Sequence, residues 1–361
     1  MCRHGSLREP CPYSTLPGPE AVPKTDFECI RTSTRALQLV GYVLKFTMMN
    51  VIILSRQASL YSTSRLALAA RRRGHLVKVV NPLSCPVGIG CQPAGIDECS
   101  PAEKWAVIPR IGASITEFGC ALVRSLEQEG AWLLNPAAGI ARSRDKLLSM
   151  QLLHSWQIPV PRTAVTGQHQ GLSRAIEAVG GLPVVLKLRR GTQGKGVVLV
   201  RTLAAARRAF AVMNDFQQYT LVQEYVAEAH NRDLRIIVVG QEVVAAMERQ
   251  APPGDFRANL HRGGKARPYQ FDDEMKTLAI QATQIHKLGF AGVDLLMTAR
   301  GPVVVEVNSS PGLQGIETAT RVDVAAAVIR HMETEQEIEG LEDDRSENPT
   351  TASPLEQRKL A

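Results

Sequence analysis

The chain has 361 residues, 44% of them apolar and 5% aromatic, and a net charge of +7. That length holds two or three ordinary domains and that composition is globular; no apolar run approaches the roughly 18–20 residues of a membrane span. Seven cysteines (Cys2, Cys11, Cys29, Cys85, Cys91, Cys99 and Cys120) form no C-x-x-C pair and are odd in number, which argues against a zinc ribbon or a disulfide framework.

The charge is unevenly placed. Residues 331–361 carry nine acidic and three basic side chains, and residues 1–47 have an excess of +2, so the body between them holds +11. With so few aromatics and no basic–aromatic interleaving, a base-stacking surface is not indicated. Nucleotide phosphates and acidic substrates fit a basic body better. No membrane association and no sequence-specific nucleic-acid binding are expected, and a cytoplasmic location is.

Residues 1–47 are rich in Pro, Ser, Thr and Cys without a sustained period, and read as a disordered extension. Met48-Met49 directly precede a strand-like run, so a natural start there is one reading. Residues 48–135 then alternate in α/β fashion: a strand at Val51–Leu54, a helix at Ser64–Arg73 closed by Gly74, a strand at Leu76–Val80, a strand at Trp105–Pro109, and a helix capped by Thr116 and reaching Glu129. This is a β-α-β pattern with a parallel sheet. It lacks G-x-G-x-x-G after its first strand, so a Rossmann dinucleotide site is not indicated.

Residues 136–223 open with one helix, Ser143–Trp156, containing Lys146. After a strand at Arg162–Val165 and a helix at Ser173–Val179 comes VVLKLRRGTQGKGVVLV, residues 184–200. Lys187 lies inside an apolar strand, where an ammonium is costly unless an anion meets it. The loop beyond has three Gly (Gly191, Gly194, Gly196) and three cations, a composition that lets backbone N–H groups close over phosphates. Its spacing is not that of a Walker loop. A plain hairpin with a snorkelling lysine is the alternative.

Residues 220–290 give strands at Thr220–Val226, Asp233–Val239 and Glu242–Glu248, a loop Arg249–Arg267, and a helix at Asp272–Leu288. The loop holds Arg257, His261, Arg262, Lys265 and Arg267 around a Gly pair; it reads equally as a mobile surface loop or as an anion-closing lid. Two strands follow, Val293–Thr298 and Val303–Val307, joined by a turn at Ala299–Pro302. Glu306 and Asn308 are two apart and share a face; Asp294 from the neighbouring strand completes an all-oxygen cluster suited to Mg²⁺ or Mn²⁺. A strand end with solvated polar groups is the plainer reading. Residues 333–361 read as an acidic disordered tail.

Together these pieces resemble the ATP-grasp ligases. The motifs that carry the likeness span about Met49 to Met332: LSR…LYS, NPLSC, VIPRIG, RSRDKLLSMQLL, KLRRGTQGKGVVLV, VQEYV, DLRIIVVG, DFRANLHRGG, GVDLL and VEVNSSPGLQGIE. The resemblance implies an ATP-grasp fold, two α+β subdomains clasping ATP, preceded by an α/β pre-ATP-grasp domain. It implies that Lys146 and Lys187 hold the ATP phosphates under a flap at Gly191–Gly196. Glu224 and Tyr225 would meet the adenine edge and Asp233 the ribose. Arg257, Ala258 and Asn259 would reach the terminal phosphate and the acyl intermediate. Asp294, Glu306 and Asn308 would bind two divalent ions, Mg²⁺ or Mn²⁺. His261, Arg262, Lys265, Ser309 and Ser310 are candidates for holding the substrates, and Lys187 and Arg257 for stabilising the transferring phosphoryl group.

The activity implied is addition of L-glutamate to the C-terminus of a ribosomal protein, S-six, through an acyl phosphate, by a homo-oligomer, often a tetramer. Lys195, Ser309 and Gln314 depart from the family's usual residues, but none is a proposed metal ligand. A related ligase using another amino acid or a small-molecule acceptor is the nearer alternative. A non-catalytic ribosome- or RNA-binding module is the further one.

Overall fold

A computed structural model of the chain describes residues 48–89, 105–191, 196–214 and 219–347. The expectations for residues 1–47, the flap tip at Gly194 and Lys195, and the last residues from 348 lie outside these. The described residues all belong to one unit.

Strand β1 (Asn50–Leu54) is apolar after its first residue because both of its faces are covered. Val51 and Ile53 enter one core, Ile52 and Leu54 another. Helix α1 (Tyr61–Arg72), β2 (Leu76–Val80), β3 (Trp105–Pro109), α2 (Thr116–Gln128) and β4 (Trp132–Leu133) follow, and the strands form a parallel sheet ordered β2-β1-β3-β4. The expected parallel β-α-β arrangement is therefore present. Gly74 closes α1 at φ 88°, the left-handed position foreseen for it. Thr116 does not cap α2: its hydroxyl turns back to donate to the carbonyls of Gly112 and Ala113, and its own backbone is already helical.

The helix expected over Ser143–Trp156 is two helices, α3 (Ala137–Arg144) and α4 (Lys146–Ser155). Asp145 makes the break. Its backbone is extended, and its carboxylate accepts from Leu148 N at 3.2 Å, capping α4. Arg189, distant in sequence, donates Nε to the same carboxylate at 2.7 Å. That ion pair is invisible to periodicity, which is why the break was not foreseen.

Next come β5 (Thr163–Thr166), α5 (Leu172–Ala178), β6 (Val184–Leu188), β7 (Val197–Val200), α6 (Leu203–Asn214) and β8 (Thr220–Glu224), with an antiparallel sheet ordered β5-β8-β6-β7. Val184, Leu186 and Val222 pack with Leu172, Ile176 and Phe210 of α5 and α6. Side chains alternate, so Lys187 and Gln223 occupy the other face.

The third sheet is ordered β11-β10-β9-β12-β13, built from β9 (Arg232–Val239), β10 (Glu242–Gln250), β11 (Lys265–Pro268), β12 (Phe290–Thr298) and β13 (Gly301–Asn308), with α7 (Asp273–Ile285) before β12. One face, with Leu234, Ile236, Val293 and Leu295, packs on Leu153 of α4 and Met275 and Ala282 of α7. On the other, Ile237 and Met247 share a core with α8 (Gln314–Thr320), α9 (Val324–Glu347) and the α1 side of the first sheet. The end of the expected lid is β-structure: Lys265 and Arg267 lie on β11, where Arg267 donates to Glu248 at 2.9 Å.

The tail expected from residue 333 begins as helix instead, since α9 continues to Glu347. Met332 and Glu333 are buried, and Glu333 bonds to Arg73 at 2.6 Å and His75 at 2.8 Å. A polar, Glu-rich run has good helix propensity once its first turn is anchored. Among the described residues no helix is long and apolar enough to cross a membrane.

Candidate active site

Antiparallel partners share a face, and three registers build the floor of the site. Arg235 on β9 stands opposite Asp294 on β12, and Asp294 stands opposite Glu306 on β13. Asn308 stands opposite Gly292, and Asp233 opposite Arg249 on β10. Gly292 is required there because a Cβ would come within 2.9 Å of Pro311 Cβ. Asp294 thus faces Glu306 across the ladder, and Asn308 lies two residues farther along β13, on the same face.

Asp294 is held more tightly than expected. Arg235 grips it through two bonds of 2.7 and 2.6 Å, and Arg249 Nη2 adds a third contact at 3.0 Å. Arg249 also takes Asp233, at 2.6 and 2.8 Å. Burial works to raise the Asp294 carboxyl, yet Arg235 and Arg249 prevail and hold it below the usual carboxylate range. At Asp233 burial wins over Arg249, and the neighbouring Asp294 charge assists it, so that carboxyl is raised. The two carboxylates are pushed apart by one shared network.

The opposing wall supplies cations. Lys187 donates to Gln223 Oε1 at 2.6 Å. Burial lowers it to about 8, opposed by attraction from Glu306 and reinforced by repulsion from Lys146. Lys146, the first residue of α4, lies 3.6 Å from Glu306 Oε1 and donates to the Gly191 carbonyl at 3.0 Å. The helix break at Asp145 is therefore what sets Lys146 at this junction. Gly196 re-enters the β6–β7 hairpin at φ 69°. Arg257 pairs with Asp255 at 2.9 Å and donates to the Val197 carbonyl at 3.3 Å, tying its loop to that hairpin.

The other candidates are distributed around this centre. Glu224 ends β8 with its carboxylate on Arg162 at 2.6 Å, and Tyr225 donates to Asn231 at 2.7 Å. Ala258 is buried, and Asn259 leads into a short 3-10 turn bearing an exposed His261. Lys265 is exposed on β11. The side chain of Arg262 lies outside the described residues. Ser309 is buried with its hydroxyl unpartnered among the described residues, while Ser310 donates to the Pro109 carbonyl at 3.4 Å.

Among the described residues no three His, Cys, Asp or Glu side chains converge. The groups that could serve a divalent cation here would be the carboxylates of Asp294 and Glu306 and the Asn308 carboxamide. This fits Mg²⁺ or Mn²⁺, which typically take one or two carboxylates and complete their shell with phosphate oxygens and water. The guanidiniums on Asp294 do not exhaust it, because each carboxylate oxygen has two lone pairs.

Sequence reasoning missed Arg235, Arg249, Gln223 and Asp145, whose roles come from partners on other strands. It also missed Asn135, which donates to the carbonyls of Phe290 and Ser309 at 2.8 Å each and accepts from Phe290 N at 3.0 Å. The only hint was its place between an apolar run and Pro136.

Comparison with known proteins divides the chain into two matched stretches. Residues 49–140 match the RimK PreATP-grasp domain, and residues 143–332 the RimK-like ATP-grasp domain. The chain is 48% identical over 289 residues to a "probable alpha-L-glutamate ligase 2" of Shewanella sp. (strain MR-4), covering 79% of this chain and 96% of that one. A "probable alpha-L-glutamate ligase" of Klebsiella pneumoniae (strain 342) is 47% identical over 287 residues, with the same coverage. Among solved structures, a RimK domain ATP-grasp protein from Sphaerobacter thermophilus DSM 20745 superposes with a TM-score of 0.63 at 23% identity, over 78% of this chain and 98% of that one. The ATP-grasp ligase PsnB, in complex with a precursor variant, Mg and ADP, gives a TM-score of 0.60 at 19% identity, over 80% and 99%. The fold, the ordered motifs and the relatives agree: the chain belongs to the RimK-like ATP-grasp family of ATP-dependent carboxylate–amine ligases.

Proposed function

We propose that the protein is an α-L-glutamate ligase that uses ATP to extend a ribosomal protein's C-terminus, S-six, with glutamate. The observation that carries this reading is the meeting of Lys146, Lys187 and Glu306 at the end of β13, where helix α4 and two sheets face one another. A cationic wall opposite a floor bearing two carboxylates and a carboxamide suits a polyphosphate with bound divalent cations. The close relatives named glutamate ligases support the amino acid.

In this reading the acceptor carboxylate attacks the γ-phosphate, releasing ADP and leaving an acyl phosphate. The α-amine of glutamate then displaces phosphate, and an amide forms. No protein nucleophile is needed; the chain positions the reactants and stabilises charge. Lys146 and Lys187 hold phosphate oxygens, and Arg257 reaches the terminal phosphate from its loop. Gly191–Gly196 closes over the phosphates, Glu224 and Tyr225 flank the adenine, and Asp233 takes the ribose. Asp294, Glu306 and Asn308 would hold two divalent cations, whose contribution is to neutralise phosphate charge. His261, Arg262, Lys265, Ser309 and Ser310 line the substrate side. A cytoplasmic homo-oligomer, a tetramer, completes the proposal, with a pre-ATP-grasp domain over residues 48–135 and ATP-grasp subdomains over 136–223 and 224–332.

The deciding experiment is intact mass of the acceptor after incubation with ATP, Mg²⁺ and L-glutamate. Discrete glutamyl additions are expected. Additions with another amino acid, and none with glutamate, would reassign the substrate.

A further inference from the structure

We infer that Arg110 and Arg144 form a second anion site beside the phosphate cleft, one that holds a substrate carboxylate, either of the incoming glutamate or of the acceptor's C-terminus. This deepens the ligase reading and rests on it.

Arg110 follows β3 and its Nη2 donates to the Pro311 carbonyl at 2.8 Å. Arg144 ends α3 and its Nη2 donates to the carbonyl of Ile111, the neighbour of Arg110, at 2.6 Å. Both bonds go to neutral carbonyls. Arg110 Nη1 and Arg144 Nε are buried, and among the described residues neither has an acceptor. Nor does either guanidinium have a carboxylate within 4.0 Å among them. Other arginines behave differently: the well-buried Arg235 and Arg249 meet Asp294, and the partly exposed Arg65 and Arg73 meet Glu317 and Glu333.

Two neighbouring cations with unused buried donors are costly. Burial, and then repulsion by Arg144, lower Arg110 to about 10. A purely structural strut explains the Pro311 bond but leaves Arg110 Nη1 and Arg144 Nε without purpose. An anion bound beside the two guanidiniums would offset their mutual repulsion and offer an acceptor to donors that now lack one. The location favours a substrate. Arg144 precedes the Asp145–Lys146 junction, where Lys146 is 3.6 Å from Glu306. Pro311 is two residues from Ser309, whose buried hydroxyl is also unpartnered among the described residues. The planar guanidinium fork matches a carboxylate bidentately, and the phosphate chain already has Lys146 and Lys187.

The test compares Arg110→Lys and Arg144→Gln with the unmutated protein, measuring KM for ATP, for L-glutamate and for the acceptor separately. Loss of a charge-assisted bidentate contact is expected to raise one carboxylate KM about tenfold or more, while KM for ATP stays within about twofold. A rise for glutamate assigns the site to the amino acid, and a rise for the acceptor assigns it to the C-terminus. Unchanged KM for both, in both variants, overturns the inference. Should a variant not fold, glutarate serves as a probe of the unmutated protein. It is expected to raise Tm and compete with a carboxylate substrate, and neither effect appearing overturns the site. Failure of the ligase reading is distinguishable, because the unmutated protein would then turn over no ATP with glutamate. The glutarate shift, and its loss in Arg144→Gln, would decide the anion site on its own.

Discussion

Asp294 stands directly opposite Glu306 across β12 and β13, so two carboxylates share one face at the end of the sheet. Like charges so paired destabilise a sheet. Arg235 and Arg249 offset the first and Lys146 the second. This facing pair of carboxylates is where the proposed divalent cations would bind.

Glu306→Ala should therefore abolish ligation while sparing the fold. We expect acceptor modification to fall by roughly 10²-fold or more and Tm to move by no more than about 4 °C. Intact mass and a thermal melt on the same preparation check both. A fully active Glu306→Ala protein would refute the metal assignment.

Lys187 gives a pH signature. Its folded value of about 8 lies below the ordinary lysine value of 10.5, burial being the main cause. The charged form therefore penalises the fold below about pH 8, and the penalty is relieved as pH rises toward 10.5. Lys187→Met should stabilise the nucleotide-free protein at pH 7, by on the order of 1 kcal/mol, and much less at pH 10. The same change should eliminate ATP binding. In the unmutated protein ATP affinity should weaken above about pH 8, where the ammonium is lost. An affinity that stays flat from pH 7 to pH 9.5 would count against a phosphate role.

Asn135 links the first domain's last strand region to the active-site strands by three bonds. Asn135→Leu would leave an N–H and two carbonyls without their partner in a buried place. A loss of about 2–4 kcal/mol is expected, read by urea denaturation. Because the carbonyl of Ser309 is one of the three, KM for the carboxylate substrates should also shift. A neutral outcome on stability would show that water replaces the side chain.

Glu333 anchors α9 to α1 through Arg73 and His75, all three in close contact. Glu333→Ala should cost roughly 3 kcal/mol, because it strands a buried partner. KM for ATP should not change, since the triad is built from elements away from β13. Truncation before residue 333 should destabilise the protein similarly, whereas truncation after Glu347 should not. Equal stability of both truncations would contradict the anchoring.

Much of the fold was legible because local chemistry and tertiary packing agree. The run Val51–Leu54 reads as a strand of a parallel sheet and is one. Gly74 reads as a helix stop and adopts positive φ. Where the two disagree, reading failed. Asp145 sits in an apolar-periodic run, but Arg189 and the Leu148 N–H turn it into a cap. Glu333 belongs to an acidic polar run, but Arg73 and His75 bury it. In each case a long-range ion pair outweighs a local preference.

The sequence by itself determined the alternation of strands and helices, the shared face of Glu306 and Asn308, and the unusual Lys187, since all three follow from periods of two and 3.6 and the cost of burying charge. Only the tertiary structure decided which strands lie side by side. It set Asp294 against Glu306 and clamped it with Arg235 and Arg249, and among the described residues it left Arg110 and Arg144 without a carboxylate. Strand order and register are chosen by the summed packing of four cores, which no short stretch of sequence encodes.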